Sequence, residues 1–151
     1  MEGTVNNAIG FLCSRCTSSS VIMPSLEWAM SVSRGTDAVM STFHSKMELA
    51  VLEVLAKGTC PIILVLGRKP YKRLPHPFAL LDEQGRLQIV TVSNQPRIDA
   101  TSARKCNEYI CNNASQLVFG FIAPGSTLEV LYEQASKENK MTTLLAKIET
   151  T

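Results

Sequence analysis

The chain has 151 residues, a net charge of +2, 45% hydrophobic and 19% charged residues, a balance that excludes a disordered polyelectrolyte and argues against a general polyanion binder. A chain of this length buries about 68–70% of the surface of its unfolded form, so a single domain needs no staples. Five scattered cysteines, an odd number, argue against a secreted disulfide framework and fit reduced thiols in a cytoplasm.

The N-terminal stretch carries Glu2 and no basic or sustained apolar leader, so the chain reads as untargeted. Ala8 to Cys13 is the first of six short apolar segments, each of which predicts a strand. It is mostly continuous rather than alternating, as strands covered on both faces are. A helix is expected over Ser25 to Ser33, then a second strand over Ala38 to Thr42. Ser45 and Glu48 have the S-x-x-E spacing of a capping box, and Met47, Ala50, Val51, Val54 and Leu55 fall on one face of the helix they open, with Gly58 as its stop. The third strand, Cys60 to Leu66, holds the longest apolar run, from Pro61, far too short to cross a bilayer. Asp82 to Gly85 predicts a turn into the fourth strand, Leu87 to Val92, and Ala100 to Asn112 a helix before the fifth, Leu117 to Ile122. Ser126 and Glu129 repeat the S-x-x-E signal at the head of a helix running towards Asn139, and Thr142 to Ala146 reads as the sixth strand.

Strands alternating with helices predict an α/β fold: one doubly wound, mainly parallel six-stranded sheet of Rossmann-like type, in a single domain with its core over about residues 8–146. Right-handed crossovers suggest the strand order 3-2-1-4-5-6, with its reversal between strands one and four. Ligands of such sheets bind at the carboxyl ends of the strands beside the reversal. The loops Ser14 to Ser20, Phe43 to Ser45, Ser93 to Thr101 and Ala123 to Thr127 are therefore the ones to watch.

Several residues in these loops carry usable chemistry. Gly125, Ser126 and Thr127 lie at a helix start, where free N–H groups and a partial positive charge suit an anion; the same residues also read as a plain helix cap. Ser14 and Arg15 follow strand one, and a guanidinium there can grip a phosphate or carboxylate through two parallel bonds. His44 stands beside the Ser45 cap as a hydrogen-bond donor or proton carrier, or as a structural residue, and no partner completes a catalytic triad. Arg68, Lys69, Lys72 and Arg73 surround Tyr71 on the loop after strand three, a composition that suits a nucleic-acid backbone with one stackable ring and equally a solvated surface; Arg97, Arg104 and Lys105 are positioned in sequence to extend it. Cys13 and Cys16 form a lone C-x-x-C, and Cys106 and Cys111 diverge by about 140° on a helix, so no metal site is expected.

The order of these motifs resembles the Rossmann-like domain of the DNA-processing protein A (DprA/Smf) family, within the superfamily that includes the lysine-decarboxylase-like phosphoribohydrolases. The carrying segments are Ile9 to Arg15, Ser41 to Ser45, Leu66-Gly67-Arg68, Arg104 to Asn107, and Ala123 to Glu129, the last similar to the phosphoribohydrolase P-G-G-x-x-T-x-x-E. The resemblance implies ligand-binding roles for Ser14, Arg15, Ser41, His44, Ser45, Arg68, Asn107, Gly125, Ser126 and Thr127, no cofactor, and a homodimer. Three readings follow from it. A nucleotide or other phosphate-bearing ligand binds the crevice without turnover; single-stranded DNA binds through Arg68, Lys69, Tyr71, Lys72, Arg73 and Arg104; or Glu129 stabilises the positive charge of a breaking N-glycosidic bond.

Overall fold

The computed structural model describes residues 8–15 and 18–146. In chain order the elements are β1 Ala8–Leu12, α1 Ser19–Val32, β2 Ala38–Ser41, α2 Lys46–Ala56, β3 Ile62–Leu66, α3 Phe78–Glu83, β4 Leu87–Thr91, α4 Ala100–Asn113, β5 Gln116–Phe119, α5 Thr127–Lys137 and β6 Thr142–Leu144. All six strands join one sheet and every pairing is parallel. Side chains of alternate strand positions feed two cores. Ile9 and Phe11 of β1 pack with Val39, Ile62 and Leu64 beneath α1, α2 and α3. Leu12, Met40, Ile63, Val65 and Leu117 pack with Cys106, Ile110, Leu128 and Ala135 of α4 and α5 on the other face. Helices on both faces explain why the strand segments are apolar throughout.

The strand order is β4-β3-β2-β1-β5-β6, which corrects the expected 3-2-1-4-5-6. The fourth strand adds to the outside of β3, and the reversal lies between β1 and β5. Returning from β4 to β5 crosses four inter-strand steps, roughly 19 Å: residues 92–99 fold back towards the loop after β3, where Gln95 O accepts from Lys69 N, and α4 then packs over β3, β2 and β1 on its way to the start of β5. As an edge strand β4 is partly exposed along its length.

Three local expectations also change. Helix α1 starts at Ser19 rather than Ser25 and holds Pro24 inside it, where sequence rules place a break. The predicted turn at Asp82 to Gly85 is the end of a short helix, α3, with Gly85 at φ 71 completing the turn. Gly58 follows α2 for a reason other than a left-handed stop: a Cβ there would sit 2.2 Å from the Ser33 carbonyl oxygen. That oxygen accepts bonds from Thr59 N and Cys60 N at 2.7 and 3.0 Å, clamping the end of α1 to the entry of β3.

Candidate functional site

The loops after β1, β2, β3 and β5 meet along one edge of the sheet, and the loop after β4 folds back to join them: Lys69 N donates to Gln95 O at 2.8 Å. Ser14 ties β1 to β5, its N–H donating to Phe121 O at 2.8 Å and its Oγ accepting from Ala123 N at 3.0 Å. Arg15, exposed, is thereby set beside the turn that carries Gly125, whose φ of 78 explains the glycine. Cys16, the second half of the C-x-x-C, lies outside the described residues.

Three helix starts on this edge, those of α2, α4 and α5, are closed by a carboxylate of their own, whereas α1 and α3 have no side-chain cap and no acid in the first turn. At α2, Ser45 Oγ accepts from Glu48 N at 3.1 Å, and Glu48 Oε1 accepts from Ser45 N, His44 N and Thr42 Oγ1 at 3.3, 2.9 and 2.7 Å. At α5, Ser126 Oγ accepts from Glu129 N, while Glu129 Oε1 reaches one residue further back to Gly125 N at 3.0 Å. At α4, Asp99 and Ser102 form a capping box that the D-x-x-S spacing would have disclosed. The N–H bond from Ser102, followed by the Gln95 side chain, holds the Asp99 carboxyl below its ordinary pKa. The N–H groups of His44, Ser45 and Gly125 thus already serve carboxylates of their own helices. Ser41 is likewise engaged: fully buried, its Oγ accepts from Phe43 N at 3.1 Å and supports the left-handed backbone of Phe43, φ 46.

Between the strand ends and α4 lies a hollow of about 150 Å³. Of the predicted residues it gathers His44, Ser45 and Asn107; its other walls are Cys13, Thr42, Glu48, Val65, Gly67, Ile98, Ala103, Cys106 and Leu128. Periodicity gave no sign of this set, because it draws on five segments. The Cys106 thiol is pushed up to about 11, first by burial and second by the Glu48 carboxylate nearby, which leaves it protonated and a poor nucleophile at neutral pH. A second, polar hollow of about 160 Å³ lies between α4 and α5, away from the strand ends, lined by Glu108, Cys111, Gln134 and Glu138 among others.

The basic loop stands at the rim. Arg68 stacks over the Tyr71 ring at 4.3 Å and its Nε donates to Lys69 O at 3.0 Å, while Lys69, Lys72 and Arg73 are exposed. Gln95 Nε2 bonds Arg97 O at 2.7 Å and Ser102 Oγ at 3.2 Å, which sets exposed Arg97 beside the same loop. Arg104 is not gathered with them: two residues from Ser102, which is buried, it projects from the opposite side of α4. Among the segments linking each strand to the first turn of the next helix, the described Lys and Arg residues are Arg15, Lys46, Arg68, Lys69, Lys72, Arg73 and Arg97, against Glu48, Asp99 and Glu129. Those three carboxylates accept backbone N–H bonds at the helix starts, Asp99 while remaining exposed, and the seven cations outnumber them, which leaves this edge net positive. Among the described residues, no helix is long and apolar enough to cross a membrane.

The sequence matches no protein-family model and no curated protein. Its fold is similar to solved structures. DNA processing protein A from Helicobacter pylori, described for its single-stranded DNA binding mode, superposes with a TM-score of 0.73 at 10% identity over 95% of this chain and 67% of that one. DNA processing protein A (DprA) from Streptococcus pneumoniae gives 0.69 at 13% identity over 91% of this chain and 50% of that one. The chain thus spans about two thirds of the first protein and half of the second. A six-stranded all-parallel sheet flanked by helices, with these likenesses, gives the chain a DprA-like Rossmann fold.

Proposed function

We propose that the protein binds single-stranded DNA across the carboxyl edge of its sheet, with phosphates on Arg15, Lys69, Lys72, Arg73 and Arg97 and a base stacked on the Arg68–Tyr71 pair. The observation that carries this reading is the division of charge: acids of the edge are bound to backbone N–H groups, and its cations are exposed. Such a rim attracts a polyanion by releasing its counterions, and a stacked ring accepts any base. The similarity in fold to a protein described as binding single-stranded DNA supports the same reading.

The nucleotide reading has less behind it. Ligand pockets commonly enclose about 300–1,000 Å³, and the hollow offers about 150 Å³ with a carboxylate in its wall. The N-glycosidic reading leans on Glu129, whose carboxylate is engaged at its own helix start.

The test is fluorescence anisotropy of a labelled oligothymidylate at rising salt. With four or five phosphates neutralised, log K falls with log salt at a slope near −3, so affinity drops roughly 50- to 130-fold between about 50 and 200 mM. Lys72→Ala with Arg73→Ala lowers the steepness by about 1.4. Absence of binding at low salt, or a slope near zero, overturns the reading.

A further inference from the structure

We propose that the hollow at the strand ends takes one six-membered, amino-bearing heteroaromatic ring, cytosine being the one that nucleic acid supplies, with its amine donating to Glu48. The inference deepens the strand-binding reading and rests on it for the source of the ring.

Three observations carry it. The first is size: an engineered cavity of about 150 Å³ elsewhere accepts benzene, and this hollow has about the same volume. A single ring fits, and a whole nucleotide does not. The second is the wall. Val65, Ile98, Ala103 and Leu128 offer apolar contact to a flat ring, and Asn107 adds an amide able to donate and accept. The third is Glu48. The residue is 6% exposed, and Oε1 collects the three donors from Thr42, His44 and Ser45. Oε2 has no hydrogen-bond partner among the described residues, yet it is not sealed: the one fully buried, unsatisfied side-chain atom among them is Ser25 Oγ. Glu48 lines the hollow, so an acceptor with a negative charge is open to whatever enters it.

That acceptor selects chemistry. A carboxylate repels phosphate and favours a donor, and an exocyclic amine such as cytosine N4 is the group that Glu and Asp accept from among bases. Thymine is disfavoured, because its ring N–H is flanked by two carbonyl oxygens that a carboxylate repels. One hydrogen bond to a carboxylate in a hollow open to water is worth about a tenfold preference, the low end for a charged acceptor.

Glu48→Gln is the informative variant. The three donors at the Oε1 position require an oxygen there, so the Gln amide places its NH₂ where Oε2 was and presents a donor to the hollow. Competition between oligodeoxycytidylate and oligothymidylate should favour the former about tenfold in the native protein. In Glu48→Gln the preference should vanish or reverse, with the salt slope unchanged. Ala103→Leu, which fills the hollow without touching the cap, should erase the preference too, and stands in if Glu48→Gln does not fold. Equal binding of the two strands by the native protein, or an unaltered preference in the variants, overturns this inference and leaves the rim reading intact. If neither strand binds, the rim reading fails alone, and NMR titration with cytidine against uridine decides the hollow: shifts of Glu48 and Asn107 amide signals with cytidine only, lost in the variant, support it, and their absence overturns it.

Discussion

Removing the Glu48 side chain should destabilise the protein far more than changing its charge. Three donors end on one of its oxygens: Thr42 Oγ1 at 2.7 Å, His44 N at 2.9 Å and Ser45 N at 3.3 Å. Glu48→Ala leaves all three without that acceptor, at a cost near 1 kcal/mol for each donor that water does not recover. Because the hollow admits water to part of the site and the Thr42 hydroxyl can turn, the lower end applies, and about 2–4 kcal/mol is expected in total, including the packing lost. Glu48→Gln keeps an oxygen in place and forfeits only the charge assistance, about 1 kcal/mol. At this chain length each kcal/mol moves Tm by about 2–4 °C, so the Ala variant should melt roughly 5–15 °C lower. Urea unfolding followed by fluorescence of Trp28, the one tryptophan, stacked on Phe11 at 5.1 Å, measures both. An Ala variant within 1 kcal/mol of the native protein, or Gln as costly as Ala, would show that the cap does not hold this loop.

Gly58→Ala should cost about 3 kcal/mol, the upper range of overpacking, because its Cβ meets backbone at Ser33, while Gly35→Ala, 3.4 Å from the nearest such atom, should stay under about 1 kcal/mol; similar Tm losses would contradict the close-approach argument. Arg86 donates to the carbonyls of Cys60, Ala56 and Leu55, binding the last turn of α2 to the start of β4. Its replacement by Ala should cost about 2–3 kcal/mol, and Lys should restore less than half, since one ammonium cannot serve three divergent acceptors; full rescue by Lys would make the effect one of charge alone. The depressed pKa of Asp99 means that its stabilising contribution is complete above the ordinary carboxylate value and disappears as pH falls through the lower folded value. The stability gap between the native protein and Asp99→Asn should therefore narrow in acid, and a gap independent of pH would refute the capping role.

Much of the local structure was legible because its causes are local. The capping box at Ser45 and Glu48 and the strand expected over Cys60 to Leu66 announce themselves over a few residues, and both appear in the structure, the strand as Ile62–Leu66. Helix α1 begins earlier than the sequence predicts because Pro24 argues against a helix interior, and α3 escapes prediction because six residues show too little periodicity.

By itself, the order of apolar runs and cap signals determined an α/β chain with a parallel sheet and candidate loops on one edge. The place of β4 was decided by its pairing along the outer side of β3, a contact between distant backbone segments that no sequence window contains. The tertiary structure alone brings Ile98, Ala103 and Leu128 to Glu48. It also decides how the charges of this edge are used: Glu48 and Glu129, three residues past their caps, turn back onto backbone N–H groups, while Arg15, Lys69, Lys72, Arg73 and Arg97 of the adjoining loops lie exposed.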